Sequence, residues 1–247
     1  MRGETLGSGS FGTVYQVDEK MVAKFGNVSE GELEALSALK HTGIVPEIIA
    51  AEIVPNFIED EEDMGWILMS RATGKAVYNN EPSPALTDAY WEARKKIHLA
   101  GVAHLDMHGG NFLYSAHDSK GTVVDFGLAI VDWVVVFLEA VAGVPPERGE
   151  YRDNNIPTDI REFGPCPLEA QMAENFEKAV RKFSRKSDED PEHVRRDWKE
   201  ASRILSGGIS TTRSYWARIE QELDDFPSLP DADEAKEIVE IIYGVSG

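Results

Sequence analysis

Apolar and polar positions change their period once along this chain, near residue 73. Before that point short strand-like stretches dominate. They cover residues 4–7, residues 13–17 and 21–25 around a polar Asp18-Glu19-Lys20 turn, and residues 52–58 and 66–69 around the acidic run Glu59 to Asp63. One helix interrupts them, from Ser29 to Lys40, with Ser29 as N-cap, Glu30, Glu32 and Glu34 suiting the positive helix start, and Leu33, Leu36 and Leu39 on one face. After residue 73 the period turns helical, at 84–101, 168–186, 192–205, 211–224 and 232–243. The expectation is an α+β protein: an N-terminal lobe over 1–72, with antiparallel sheet and one helix, and a mostly helical C-terminal lobe over 73–247. No internal repeat and no long low-complexity linker interrupts this division.

Three signatures follow one another along this frame. The first is Gly7-Ser8-Gly9-Ser10-Phe11-Gly12-Thr13-Val14, the second His104-Leu105-Asp106 with Asn111 five residues on, and the third Asp125-Phe126-Gly127. Each alone is weak, but their order and gaps together spell a Mg-ATP phosphotransfer site. Backbone N–H groups approach phosphate oxygens only where side chains are missing, which accounts for Gly7, Gly9 and Gly12 in a hairpin turn. Carboxylate and amide oxygens, such as those of Asp125 and Asn111, are the hard ligands magnesium prefers. Between these two, Phe112-Leu113-Tyr114 and Thr122-Val123-Val124 flank a turn at residues 117–121, forming a hairpin that supports both.

With these motifs the first half of the chain resembles the protein-kinase superfamily. The segment from Ile97 to Asp106 is similar to that family's long helix running, past a terminating glycine, into the catalytic loop. The resemblance implies a bilobal kinase-like fold with ATP and Mg²⁺ between the lobes. Val14, Val22 and Met69 would then belong to the nucleotide site, with Val22 on the strand face of Lys24. Lys24 would bind the α- and β-phosphates and pair with a helix glutamate. Of the three candidates, Glu32 fits best, because Leu36, Leu39 and His41 follow it at the family's spacing. Asp106 would accept or orient the proton of the attacking hydroxyl, and Asn111 and Asp125 would bind magnesium. His104 would hold the loop structurally.

Two departures bear on substrate and regulation. Leu105 stands where most regulated kinases carry arginine, so no side chain is there to receive an activation-loop phosphate. His108, two residues after Asp106, replaces the lysine usual in Ser/Thr kinases and matches small-molecule phosphotransferases resembling the aminoglycoside kinases; it is placed with the nucleotide-binding residues. After Gly127 two registers compete. In the favoured one, Asp132-Trp133 begins a buried helix ending at Gly143, and the activation segment is nearly absent. In the other, Pro145-Pro146-Glu147 closes an activation segment and Asp159 to Gly164 starts the next helix, which Pro165 and Pro167 would break.

The leading expectation is an ATP-dependent minimal Ser/Thr-type protein kinase with a protein substrate. A small-molecule hydroxyl kinase and a nucleotide-binding pseudokinase are the alternatives. Composition adds exclusions: 25 basic and 44 acidic residues give a formal charge of −19, which opposes nucleic-acid and anionic-membrane partners. The single cysteine, Cys166, forbids an intrachain disulfide. The N-terminus shows no basic-then-apolar leader, and the apolar run Val134 to Leu138 is short of the ~20 residues of a membrane span, so a cytoplasmic location is expected. Leu168, Met172, Phe176, Val180 and Phe183 share a helix face and read as core. Lys178, Arg181, Lys182, Arg185 and Lys186, with Arg195 and Arg196 after them, read as a solvated cationic helix end or a docking patch for an acidic partner. Trp133, Trp198 and Trp216 read as core anchors.

Overall fold

A computed structural model describes residues 3–9, 11–54, 64–77, 83–144, 163, 165–206 and 221–245. Strands β1 (Thr5–Gly9), β2 (Gly12–Gln16), β3 (Met21–Asn27), β4 (Ile48–Val54) and β5 (Met64–Ser70) form one sheet in the order β1-β2-β3-β5-β4, each neighbour antiparallel. Helix α1 (Glu30–Leu39) follows β3. Its N-cap is Ser29, whose hydroxyl accepts the Glu32 N–H, and Ala35, Leu36 and Leu39 are buried.

A second sheet, β6 (Lys75–Ala76), β7 (Phe112–Ser115) and β8 (Lys120–Val123), is also antiparallel. The helices around it are α2 (Pro84–Leu99), α3 (Trp133–Ala142), α4 (Glu169–Ser187), α5 (Pro191–Ser206) and α6 (Ala232–Ile242). Helix α3 packs on both α5 and α6. It is buried because its sequence is apolar almost all round, with Val136, Phe137, Leu138 and Ala140 fully inaccessible. Val134-Val135-Val136 has strand propensity, yet Asp132 caps the helix by accepting the Val134 and Val135 N–H groups, and packing decides the rest.

The helix that the favoured register places from Asp132 to Gly143 is therefore observed. Pro145-Pro146-Glu147 and Asp159 to Glu162, which carry the competing register, lie outside the described residues, as do the acidic run Glu59 to Asp63 and Trp216. Of the helix expected at 211–224, residues 221–223 are helical and 211–220 lie outside the described residues. Two expectations are corrected. Strand β4 begins at Ile48, four residues earlier than the pattern from 52 indicated, because its first half pairs with Leu68 and Met69 of β5. Leu168 is exposed at the start of α4, while Met172, Phe176, Val180 and Phe183 do form its buried face.

The cationic stretch of α4 is largely committed within the fold. Lys182 Nζ lies 2.5 Å from Glu237 of α6, Lys186 pairs with Glu234 of the same helix, and Lys178 with Glu174 at 2.8 Å. Arg195 of α5 reaches Glu177 of α4 at 2.8 Å. Lys182, Lys186 and Arg195 thus tie α4 to its neighbours, while the Lys178 pair lies within α4. Trp198 is fully buried and donates its indole N–H to the Ser228 carbonyl at 2.8 Å, and Trp133 packs beside Gly101.

Candidate active site

Strand register sets the first part of the site. Val14 opposes Lys24 across β2 and β3, and Val22 opposes Met69 across β3 and β5, so these four share one face of the sheet. Helix α1 then brings Glu32 to the lysine. Lys24 Nζ is 2.7 Å from Glu32 Oε1 and 3.2 Å from Asp125 Oδ1, with lysine and glutamate both nearly inaccessible to solvent. The choice of Glu32 over Glu30 and Glu34 follows from the Ser29 cap, which fixes the helix phase. Burial pushes the Glu32 carboxyl above its ordinary range, although Lys24 opposes the shift.

The Gly-rich turn closes over this face. Gly12 has φ +139°, and a Cβ there would stand 2.4 Å from the Phe25 carbonyl oxygen. The β2–β3 pairing by itself thus requires glycine at this position. Gly7 and Gly9 differ, since a Cβ at either meets nothing within 4 Å. Their missing side chains leave open space beside the loop backbone, the room that a phosphate chain needs. Phe11, at the tip, lies against Gly127, where an added Cβ would be 2.7 Å from the ring.

The catalytic-loop residues are assembled by backbone contacts. Ala103 and Ile130 exchange both backbone bonds, at 2.8 and 2.9 Å, which ties the loop to the segment before α3. Asn111 donates from Nδ2 to the Asp106 carbonyl and to Asp106 Oδ2, each at 3.0 Å, leaving Oδ1 as its remaining side-chain acceptor. The Val124 N–H donates to the Asn111 carbonyl at 2.9 Å, so Asn111 and Asp125 sit on one hairpin as expected. His108 receives the Gly110 N–H on Nδ1 at 3.0 Å and turns Nε2 toward Asp106 Oδ2, 3.6 Å away. Leu105 and Asp125 have φ of 63° and 58°, a left-handed conformation that is costly for leucine and persists only where its surroundings hold it.

What holds it is a buried polar cluster. His104 is inaccessible; its Nε2 faces the Val124 carbonyl at 3.1 Å, so that nitrogen carries the proton and Nδ1 accepts the Asp106 N–H at 3.3 Å. Burial lowers the His104 and His98 pKa values and keeps both rings neutral. Glu139 of α3 accepts the His104 backbone N–H at 3.1 Å, and its Oε2 is 3.3 Å from His98 Nε2. Burial opposes the charge on Glu139, but the His98 hydrogen bond and the Arg94 guanidinium outweigh it and lower its carboxyl to about 2. From sequence, Glu139 is placed only within the buried helix from Asp132 to Gly143. The signal for more was present: a lone acid inside the run Trp133 to Ala142 has to find partners.

Among the described residues no group of three or more His, Cys, Asp or Glu side chains could hold a metal by itself. The donor set nonetheless suits magnesium bound together with phosphates, since one carboxylate, one amide oxygen, water and phosphate oxygens satisfy it. Asp125 and Asn111 would supply the protein share.

No family model matches the chain. In sequence, an alignment of 149 positions is 28% identical to the probable cyclin-dependent kinase 8 of Dictyostelium discoideum and covers 50% of this chain and 39% of that protein. The chain thus spans well under two thirds of this relative's length. Among solved structures, the kinase PK-1 of Cydia pomonella granulovirus is similar over 93% of this chain and 94% of its own, at 17% identity and a TM-score of 0.42. WaaP, in complex with acyl carrier protein, is similar over 100% and 90%, at 14% identity and a TM-score of 0.40. The motif order, the sheet that presents Lys24 and the hairpin that presents Asn111 and Asp125 are similar to those of the protein kinase-like superfamily. Among the described residues no helix is long and apolar enough to cross a membrane.

Proposed function

We propose that the chain is a minimal Ser/Thr-type protein kinase, transferring the γ-phosphate of Mg-ATP to a hydroxyl. One observation carries this reading. Lys24 is held between Glu32 and Asp125 while Asn111 holds Asp106, so the phosphate-positioning and proton-accepting groups stand assembled. Lys24, oriented by Glu32, neutralises and places the α- and β-phosphates. The backbone at Gly7 and Gly9 cradles them, and Gly12 shapes the turn. Val14, Val22 and Met69 enclose the adenine. Asp106 orients the attacking hydroxyl and takes its proton. Magnesium, when bound at Asp125 and Asn111, neutralises charge that develops on the β- and γ-phosphates.

A second reading, a small-molecule hydroxyl kinase, is favoured by His108. Its Nε2–H, directed at Asp106, supplies a hydrogen-bond donor in place of the usual ammonium. The complete set of Lys24, Asp106, Asn111 and Asp125 opposes a pseudokinase. Incubation with γ-labelled ATP and Mg²⁺, with either a protein extract or a metabolite pool, separates the three. Label in protein supports the first reading and label in small molecules the second. Nucleotide binding without any turnover leaves the pseudokinase.

A further inference from the structure

Glu139 does not act alone. His98 lies in the last turn of α2, fully buried, and its two nitrogens have different partners. Nε2 faces Glu139 Oε2 at 3.3 Å, and Nδ1 lies 2.7 Å from the hydroxyl of Tyr243, which caps the C-terminus of α6. Because an ionised carboxylate only accepts, Nε2 must carry the proton, and in a neutral ring Nδ1 must then accept from the tyrosine O–H. A directed chain of hydrogen bonds therefore runs from Tyr243 through His98 to Glu139, where the same Oε2 also receives the His104 N–H.

We propose that Tyr243 is a positioning residue for the catalytic loop, holding the His98 ring by its bond to Nδ1 so that Nε2–H keeps Glu139 in place to grip the His104 amide. The consequence falls on Leu105, the next residue. Its left-handed turn is clamped on one side by the His104 N–H on Glu139 and on the other by the Asp106 N–H on His104 Nδ1. Loss of the tyrosine hydroxyl leaves Nδ1 a buried acceptor without that donor. The ring is then free to tilt toward another donor, and its Nε2–H loosens its hold on the Glu139 oxygen that grips the loop. The C-terminal helix, some 137 residues after Asp106 in sequence, thereby shares in aiming Asp106.

The effect on turnover rests on the phosphotransfer reading above, so the test also includes a measurement that needs no activity. In the full chain, Tyr243→Phe keeps the ring and its edge-on contact with His98 and removes only the hydroxyl. Amide hydrogen exchange at His104 should accelerate about tenfold or more in this variant, while the Leu138 amide, on the same helix as Glu139, stays within about twofold. Turnover of Mg-ATP should fall roughly three- to tenfold with KM for ATP unchanged, because no phosphate contact is touched. His98→Gln supplies a donor near the Nε2 position without a ring for Tyr243 to orient, and adding Tyr243→Phe to it should bring no further loss. Unchanged His104 exchange in Tyr243→Phe, or an equal effect of that substitution in the His98→Gln background, overturns the relay. A wild-type chain without ATP turnover overturns the phosphotransfer reading instead, and the exchange measurement still decides the relay.

Discussion

Replacing Lys24 by Met tests the physical reading of the site more sharply than loss of activity can. The ammonium is the neutralising partner of Glu32 at 2.7 Å, and the glutamate side chain is only 2% exposed. Removing one member of a buried pair strands the other, at a cost of about 3–5 kcal/mol. At roughly 2–4 °C per kcal/mol for a chain of this size, the melting temperature should fall by roughly 6–20 °C. The cost depends on pH with a definite sign. Burial already raises the Glu32 carboxyl above its ordinary 4.5 with the lysine present, and Asp125 pushes the same way. Without the lysine the folded protein binds a proton that the unfolded chain has released, so stability falls as pH rises from about 4.5 toward the elevated folded value, then levels off. The gap between variant and wild type should accordingly be smallest near pH 4.5 and widen above it. Lys24→Met with Glu32→Leu, an apolar replacement of both, should recover most of the stability and none of the activity. Thermal unfolding followed by circular dichroism from pH 4.5 to 8 reads all of this. A Lys24→Met chain as stable as wild type across that range would refute the buried pair.

Other outcomes follow from the same geometry. For activity, Glu32→Gln and Lys24→Met should each lower turnover, with the double variant little worse than the poorer single one; additive losses in a steady-state assay would assign the pairing to Glu30 or Glu34 instead. Gly12→Ala should cost about 1–3 kcal/mol of stability through its φ of +139° and the Phe25 carbonyl, while Gly7→Ala stays within about 0.5 kcal/mol and raises KM for ATP. Phosphatase treatment should leave activity unchanged, because Leu105 is buried, only residues 128–132 separate Gly127 from α3, and none of these five carries a hydroxyl. A loss restored by modification at Tyr151 or Thr158, both outside the described residues, would contradict that expectation.

Legibility in the sequence followed how local the determining physics was. Ser29 and Asp132 are caps whose effect reaches only a few residues, so the starts of α1 and α3 could be read directly, while Glu32 was picked from three acids by the spacing of Leu36, Leu39 and His41 after it. Alternation placed Val22 with Lys24 for the same reason. Strand β4 was misplaced because its first half is set by pairing with β5, and the two residues of β6 pair with Leu113 and Tyr114 of β7, contacts that no local period announces. At Gly12 a neighbouring strand's carbonyl adds a demand of its own for glycine, which no local period announces. The Tyr243–His98–Glu139 chain joins three helices far apart in sequence, and only the fold brings them together.

The central claim is that Asp106, oriented by Asn111, drives transfer from Mg-ATP held by Lys24, Asn111 and Asp125. The direct test compares wild type with Asp106→Asn in single-turnover reactions on γ-labelled Mg-ATP, with nucleotide affinity measured by calorimetry. The substitution keeps the shape of the side chain and touches no phosphate, so turnover should fall by about a hundredfold or more, ~2.7 kcal/mol of barrier, with ATP affinity nearly intact. Equal turnover by the two proteins would contradict the account.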